Sequence, residues 1–151
     1  MAKTRPPYFK NLKSDNGTLY HRTMSIKSRA IDWLKQAESD LAFAHDGLAN
    51  DRFSHICFMA QQSGEKAIKS IGIYYEYEIR GHSIAAIAKK IGINGEVEEA
   101  GKILDLYYIS ARYPDSLPGG APFEMFTKKQ ALEAISLAQI ILKKAFAELN
   151  A

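Results

Sequence analysis

The chain has 151 residues, a single cysteine (Cys57) and a formal net charge of +3. One cysteine excludes an intramolecular disulfide and a CxxC zinc or redox pair, and no apolar run approaches the ~20 residues that cross a bilayer. The expectation is a soluble, cytoplasmic, single-domain protein with no membrane association, large enough to bury a core without a disulfide or a metal.

The positive charge is concentrated at the start. Residues 1–29 carry seven Lys/Arg against one acid, Asp15, whereas the remainder carries 13 Lys/Arg and 16 Asp/Glu. Residues 1–24 read as a basic leader, irregular or partly ordered, with Pro6, Pro7 and Gly17 breaking any period. Its Tyr8, Phe9 and Leu12 suit packing on the body or on a second subunit, and its charge suits an anionic partner such as nucleic acid.

From Ser25 to Ala49, apolar residues at Ile26, Ala30, Trp33, Leu34, Ala37, Leu41, Ala44 and Leu48 form a stripe at steps of three and four, which predicts a helix. Asn50-Asp51 reads as a turn that could cap the next helix. That second helix is expected over Arg52–Glu78, on Phe53, Ile56, Cys57, Ala60, Ala67, Ile68 and Ile71. Gly64 costs it about 1 kcal/mol relative to alanine, so a close approach by another helix is the expected reason for the glycine. The cysteine lies between Ile56 and Phe58 and reads as a small buried hydrophobe.

Arg80-Gly81 marks a break, and a short helix is expected over Ser83–Ile91. Glu96, Glu98 and Glu99 favour the start of a fourth helix that reaches Ala111. Pro114 then forces Tyr113 toward extended backbone, and residues 117–122 form a loop. Thr127 with Gln130 reads as the capping box of a final helix with an inner stripe from Ala131 to Ala145. No segment shows period-two patterning. The fold class expected is all-α, an up-and-down four-helix bundle with one additional short helix over residues 25–151.

Two groups of residues draw attention as ligand-binding candidates. Gln61, Gln62, Glu65, Lys66 and Lys69 interrupt an apolar helix, with Gln61 and Glu65 four apart on one face. Arg112 sits where a helix yields to a constrained loop, where a guanidinium can grip phosphate or carboxylate through two parallel hydrogen bonds. Its structural alternative is an ion pair with Asp115 or bonds to loop carbonyls. His82 either caps the third helix or joins a ligand site if folding brings it near Arg112 or Lys66. The four histidines form no HExxH or Glu-x-x-His pattern, so neither a metal nor a cofactor is expected.

The stretches Ala30-x-x-Trp33-Leu34-x-x-Ala37-x-x-Asp40-Leu41, Cys57 to Lys69 (CFMAQQSGEKAIK), His82-Ser83-Ile84, Tyr107 to Asp115 (YYISARYPD) and Thr127 to Ala134 occur in an order that resembles HEPN-domain proteins. The resemblance covers about Ser25–Leu149. It implies a helical bundle, often a homodimer, that binds nucleotides or partners a small nucleotidyltransferase protein. Divergent members are metal-independent ribonucleases, some of them toxins of toxin–antitoxin pairs, with an arginine followed after four to six residues by a histidine. Arg112 has no histidine at that interval, and Arg52–His55 and Arg80–His82 are spaced too closely. The leading expectation is therefore a non-catalytic module that binds a nucleotide or a nucleotidyltransferase partner. The alternatives are a metal-independent ribonuclease acting on RNA through Arg112, assisted by His82 or Tyr113, and a purely structural oligomerisation module.

Overall fold

The structure, a computed structural model, describes residues 19–151, with side chains from residue 25. The leader expected over residues 1–24 lies outside the described residues up to position 18. From Leu19 the backbone is helical: α1 runs Leu19–Asp46. After it come α2 (Phe53–Tyr74), α3 (Ile84–Lys90), α4 (Glu96–Asp105), α5 (Tyr107–Ser110), α6 (Pro122–Met125) and α7 (Lys128–Leu149). Single 3-10 turns occupy Gly47–Asn50 and Pro114–Ser116, and no strand occurs among the described residues.

The all-α class holds, but the four-long-helix bundle needs correction. Three helices are long, α1, α2 and α7. The predicted fourth helix is divided at Leu106, where the backbone tightens to a Leu106 N–H to Ile103 carbonyl bond of 3.2 Å. Helices α3 and α4 pack on each other and, through α4, on α7, in place of a single full-length fourth helix.

Helix α2 is the central element, packed most extensively against α1 and α7 and touched by α3 to α6 as well. That position explains its composition, since a helix enclosed on most sides is apolar or small on most sides. Ile56, Cys57, Ala60, Ala67, Ile68 and Ile71 are buried there, against Ala30, Leu34, Ala37 and Leu41 of α1 and Ala134, Ile135, Ala138 and Ile141 of α7. A Cβ built on Gly64 would stand 3.0 Å from Ile84 Cδ1, 3.1 Å from Ile141 Cδ1 and 3.2 Å from Leu104 Cδ1. The expected close approach is thus real, and it comes from three helices at once. Burial, and to a lesser degree the Glu133 charge, push the Cys57 thiol up to about 12, so it stays protonated and inert.

The helix ends are set by backbone chemistry. Helix α2 stops four residues before the expected Glu78, in a Schellman motif. Tyr77 N–H reaches the Gly72 carbonyl at 2.8 Å, Glu76 N–H reaches Ile73 at 3.0 Å, and Glu76 takes the left-handed conformation at φ 61°. Asp51 is also left-handed, at φ 52°, and closes the turn after α1 instead of capping α2. The Thr127–Gln130 capping box forms as expected.

Candidate functional site

The polar residues of α2 converge on one buried carboxylate. Glu65 is 5% exposed, and its two oxygens accept four hydrogen bonds. Lys69 Nζ (2.8 Å) and His82 Nδ1 (3.0 Å) meet Oε1, while Gln61 Nε2 (3.2 Å) and Gln62 Nε2 (3.4 Å) meet Oε2. A carboxylate offers about four lone-pair sites, so Glu65 is saturated. This is why a charge can sit inside an apolar helix: burying it without such partners costs several kcal/mol.

Gln61, fully buried, also donates to the His82 carbonyl at 3.2 Å and accepts from Gln62 Nε2 at 2.8 Å. It therefore holds the backbone of His82 and offers no free atom to a ligand. The neighbouring residue is fixed independently by Asp105 at the end of α4. Asp105 accepts from Ser83 Oγ at 2.7 Å, from Ile84 N–H at 2.7 Å and from Ala85 N–H at 3.1 Å. Ser83, not His82, is the N-cap of α3, its hydroxyl accepting from Ala86 N–H at 3.1 Å. The His82 side chain is thereby released from capping and aims at Glu65.

An ionised carboxylate can only accept, so the contact places a proton on Nδ1; in a neutral imidazole the lone pair is then on Nε2. The His82 side chain remains 56% exposed. The ring stacks on Tyr108, with centroids 4.7 Å apart and planes 17° from parallel.

Tyr108 joins His82 to Arg112. The Arg112 guanidinium carbon lies 4.6 Å from the Tyr108 ring centroid, 4.5 Å from that of Phe58 and 5.0 Å from that of Tyr113. Its Nε donates to the Tyr108 carbonyl at 2.7 Å. The alternative expected for this arginine, an ion pair with Asp115, does not form, and Arg112 has no carboxylate partner among the described residues. A cation held by aromatic faces and one carbonyl keeps its terminal N–H groups available for an oxyanion. Asp115, exposed in its 3-10 turn, is separate from this arrangement.

Lys66 departs from the group as well. Its Nζ pairs with Asp40 Oδ2 of α1 at 2.5 Å, and Gln36 Nε2 holds the other Asp40 oxygen at 2.9 Å. Of the residues singled out in the sequence, the fold brings Gln61, Gln62, Glu65, Lys69 and His82 into one network, and Tyr108 links them to Arg112 and Tyr113. Asp40, Asp105, Tyr108 and Phe58 were not read as site residues. Their roles depend on contacts between helices that no local spacing reveals. Among the described residues no group of three His, Cys, Asp or Glu side chains is arranged to hold a metal.

A family model described as the HEPN domain matches residues 30–149. The chain belongs to the HEPN domain family. Among solved structures, the HEPN chain is similar to TT1696 from Thermus thermophilus, at 36% identity and a TM-score of 0.76 over 80% of this chain and 98% of that one. It is similar also to ST0689, described as an archaeal HEPN homologue, at 34% identity and a TM-score of 0.72 over 80% of this chain and 97% of that one. Among curated proteins it resembles "Putative toxin MJ1304" of Methanocaldococcus jannaschii, 25% identical over 124 residues, spanning 74% of this chain and 82% of that protein. The chain is thus a HEPN-fold helical module related to a protein named as a toxin.

Proposed function

We propose that this HEPN module is of the toxin class and cleaves RNA without a metal. The observation that carries the reading is the unbroken contact series from Glu65 through His82 and Tyr108 to Arg112. It sets the His82 imidazole and a guanidinium without a carboxylate partner against the same tyrosine ring. They are no further apart than the sum of their two distances to that ring.

Such a pair can act on a phosphodiester. His82 Nε2 takes the proton of a ribose 2′-hydroxyl, and the 2′-oxygen attacks the adjacent phosphorus. The bond to the 5′-oxygen breaks, leaving a 2′,3′-cyclic phosphate and a 5′-hydroxyl. The departing oxygen takes its proton from the Tyr113 hydroxyl or from water. Arg112 stabilises the negative charge that builds on the phosphoryl oxygens. Glu65 holds the imidazole in the productive tautomer and favours the imidazolium that forms, while Lys69 and the two glutamines keep Glu65 in place.

The test is incubation of a broad RNA panel with the full chain in a chelator. Cleavage is expected, and Arg112→Ala and His82→Ala each lower it by about 10²-fold or more. Absence of cleavage at high protein concentration overturns the reading.

One observation favours the non-catalytic alternative. The arginine-to-histidine spacing of the ribonuclease members is absent, and His82 reaches Arg112 only through Tyr108. On that reading the same face binds a nucleotide or a nucleotidyltransferase partner. Saturable nucleotide binding, weakened by Arg112→Ala and unaccompanied by cleavage, would identify it. A homodimer is part of either reading, supported by the exposed apolar residues Leu106, Ile109, Phe123 and Met125. Light scattering on the purified chain measures it.

A further inference from the structure

A pocket of about 330 Å³ is lined by Arg29, Asp32, Trp33, Gln36 and Lys66. Trp33 packs partly on the core and leaves part of its ring toward the pocket. The polar groups around it are unusual in what they leave over. The charge of Lys66 is spent on buried Asp40, whose other oxygen takes the Gln36 amide N–H. The Gln36 side-chain carbonyl therefore remains as an acceptor. The Asp32 carboxylate is a second acceptor, with Oδ2 only loosely engaged by Arg29 at 3.2 Å, both side chains being more than half exposed. An aromatic face flanked by two acceptors suits a flat ring with N–H groups on its edge better than it suits a free anion.

A chain of side-chain contacts links Trp33 to the site already described. Lys69 Nζ lies 5.7 Å from the Trp33 ring centroid and 2.8 Å from Glu65 Oε1, and Glu65 Oε1 lies 3.0 Å from His82 Nδ1.

We propose that this pocket is a nucleobase subsite, in which a base stacks on Trp33 and its amine-bearing edge donates to Asp32 and Gln36. Guanine, adenine and cytosine carry such an amine and uracil does not. The proposal rests on the reading that the His82–Arg112 face acts on nucleotides. It adds which part of the nucleotide is held, where, and by which residues.

Trp33 is the only tryptophan of the chain, so its emission reports on this pocket alone. Short 2′-O-methyl strands, which cannot be cleaved through a 2′-hydroxyl, are titrated into the full chain, with the four nucleoside monophosphates as a second arm. Saturable quenching is expected, weakest for uridine strands, and Asp32→Asn narrows that difference. Strands that quench at far lower concentration than monophosphates identify a segment of RNA as the occupant. Equal potency identifies a free nucleotide, and the nucleobase assignment stands in both cases.

Anisotropy of a dye-labelled strand supplies the readout for ring variants. Trp33→Ala weakens binding on the order of tenfold, and Trp33→Phe, which keeps a stacking face and the core contact, restores most of it. No quenching by any strand or monophosphate overturns the subsite, as does a folded Trp33→Phe and Trp33→Ala pair with unchanged affinity. Quenching without cleavage sinks only the catalytic reading. Cleavage with no quenching sinks only the subsite.

Discussion

The two sides of α2 obey different rules. On the side toward α3, α4 and α7, Gly64 and its alanine and isoleucine neighbours are fitted by shape, and a single added methyl group meets three side chains. On the side toward His82, Gln61, Gln62, Glu65 and Lys69 are fitted by donor and acceptor count, with no buried side-chain nitrogen or oxygen left unpaired among the described residues. Dispersion is forgiving when a neighbour can shift by a few tenths of an ångström. A saturated carboxylate is not, because every displaced donor leaves a desolvated group behind. The polar side is therefore the more exacting of the two, and its precision is directed at one exposed imidazole.

The largest expected effect lies at the end of that polar chain. Arg112→Ala should lower metal-free RNA cleavage about 10²- to 10³-fold, the usual cost of removing one donor to a developing oxyanion. Its stability should fall by about 1 kcal/mol, because the change also removes the guanidinium's contacts with Phe58, Tyr108 and Tyr113. A large loss of stability with unchanged specific activity would place Arg112 among the packing residues and erase the difference between the two sides.

Next comes Glu65→Gln, a nearly isosteric change that tests the donor count itself. Either orientation of the new amide sets its N–H groups against existing donors, Lys69 and His82 on one side or Gln61 and Gln62 on the other. The expected cost is about 2 kcal/mol of stability, read from urea unfolding. Cleavage should fall as well, because His82 loses the acceptor that fixes its tautomer. Unchanged unfolding would mean that the network is looser than its geometry implies.

The helices packed on the apolar side of α2 supply a paired test, Gly101 lying on α4 and Gly64 on α2 itself. A Cβ on Gly101 would stand 2.7 Å from Ile84 Cγ2 and 3.0 Å from the Ala85 backbone nitrogen, which cannot yield. Gly101→Ala should cost about 1–2 kcal/mol, the overpacking penalty less the gain in helix propensity. At Gly64 the obstacles are three terminal methyl groups that can move, so Gly64→Ala should be close to neutral. Equal costs at the two glycines would refute the idea that shape fitting on this side depends on whether the neighbour is backbone or side-chain tip.

The same division governs what the sequence disclosed. The apolar stripes of α1, α2 and α7 announced the core, because three-four spacing is a local property. The short helix expected over Ser83–Ile91 ends as α3 at Lys90, and Gly92 follows it at φ 77° in a Schellman motif, a position where glycine is the usual signal. The end of α2 stayed hidden because Glu76 fills the same left-handed position, and glutamate carries no turn signal. Half of the candidate site was legible for a related reason. Gln61, Gln62, Glu65, Lys69, His82 and Arg112 stand out as polar residues in apolar or constrained surroundings. Tyr108 and Asp105 carry no such local signal, and their roles emerge only once the chain around α3, α4 and α5 has packed. The division of the predicted fourth helix at Leu106 likewise has no glycine or proline to mark it.

The smallest expected effect lies far from the site, where Tyr75 at the end of α2 donates to Glu148 of α7 at 2.6 Å and Lys144 meets the same carboxylate at 2.7 Å. The Lys144 bond first, and then the Tyr75 bond, hold the Glu148 carboxyl below the usual range, while the bond to Glu148 pushes the Tyr75 hydroxyl above its ordinary value of 10.0. A depressed carboxyl contributes stability above its unfolded value and loses it as pH falls through its folded one. A raised phenol contributes stability below its unfolded value and loses it as pH rises through its folded one. The tether should therefore act over a plateau closed by Glu148 on the acid side and by Tyr75 on the alkaline side. Both groups are partly exposed, so Tyr75→Phe should cost well under about 1 kcal/mol at neutral pH. The difference in urea midpoint between the two proteins should vanish once Glu148 is protonated, and a difference that persists there would show that the Tyr75 hydroxyl contributes through something other than its bond to the Glu148 carboxylate.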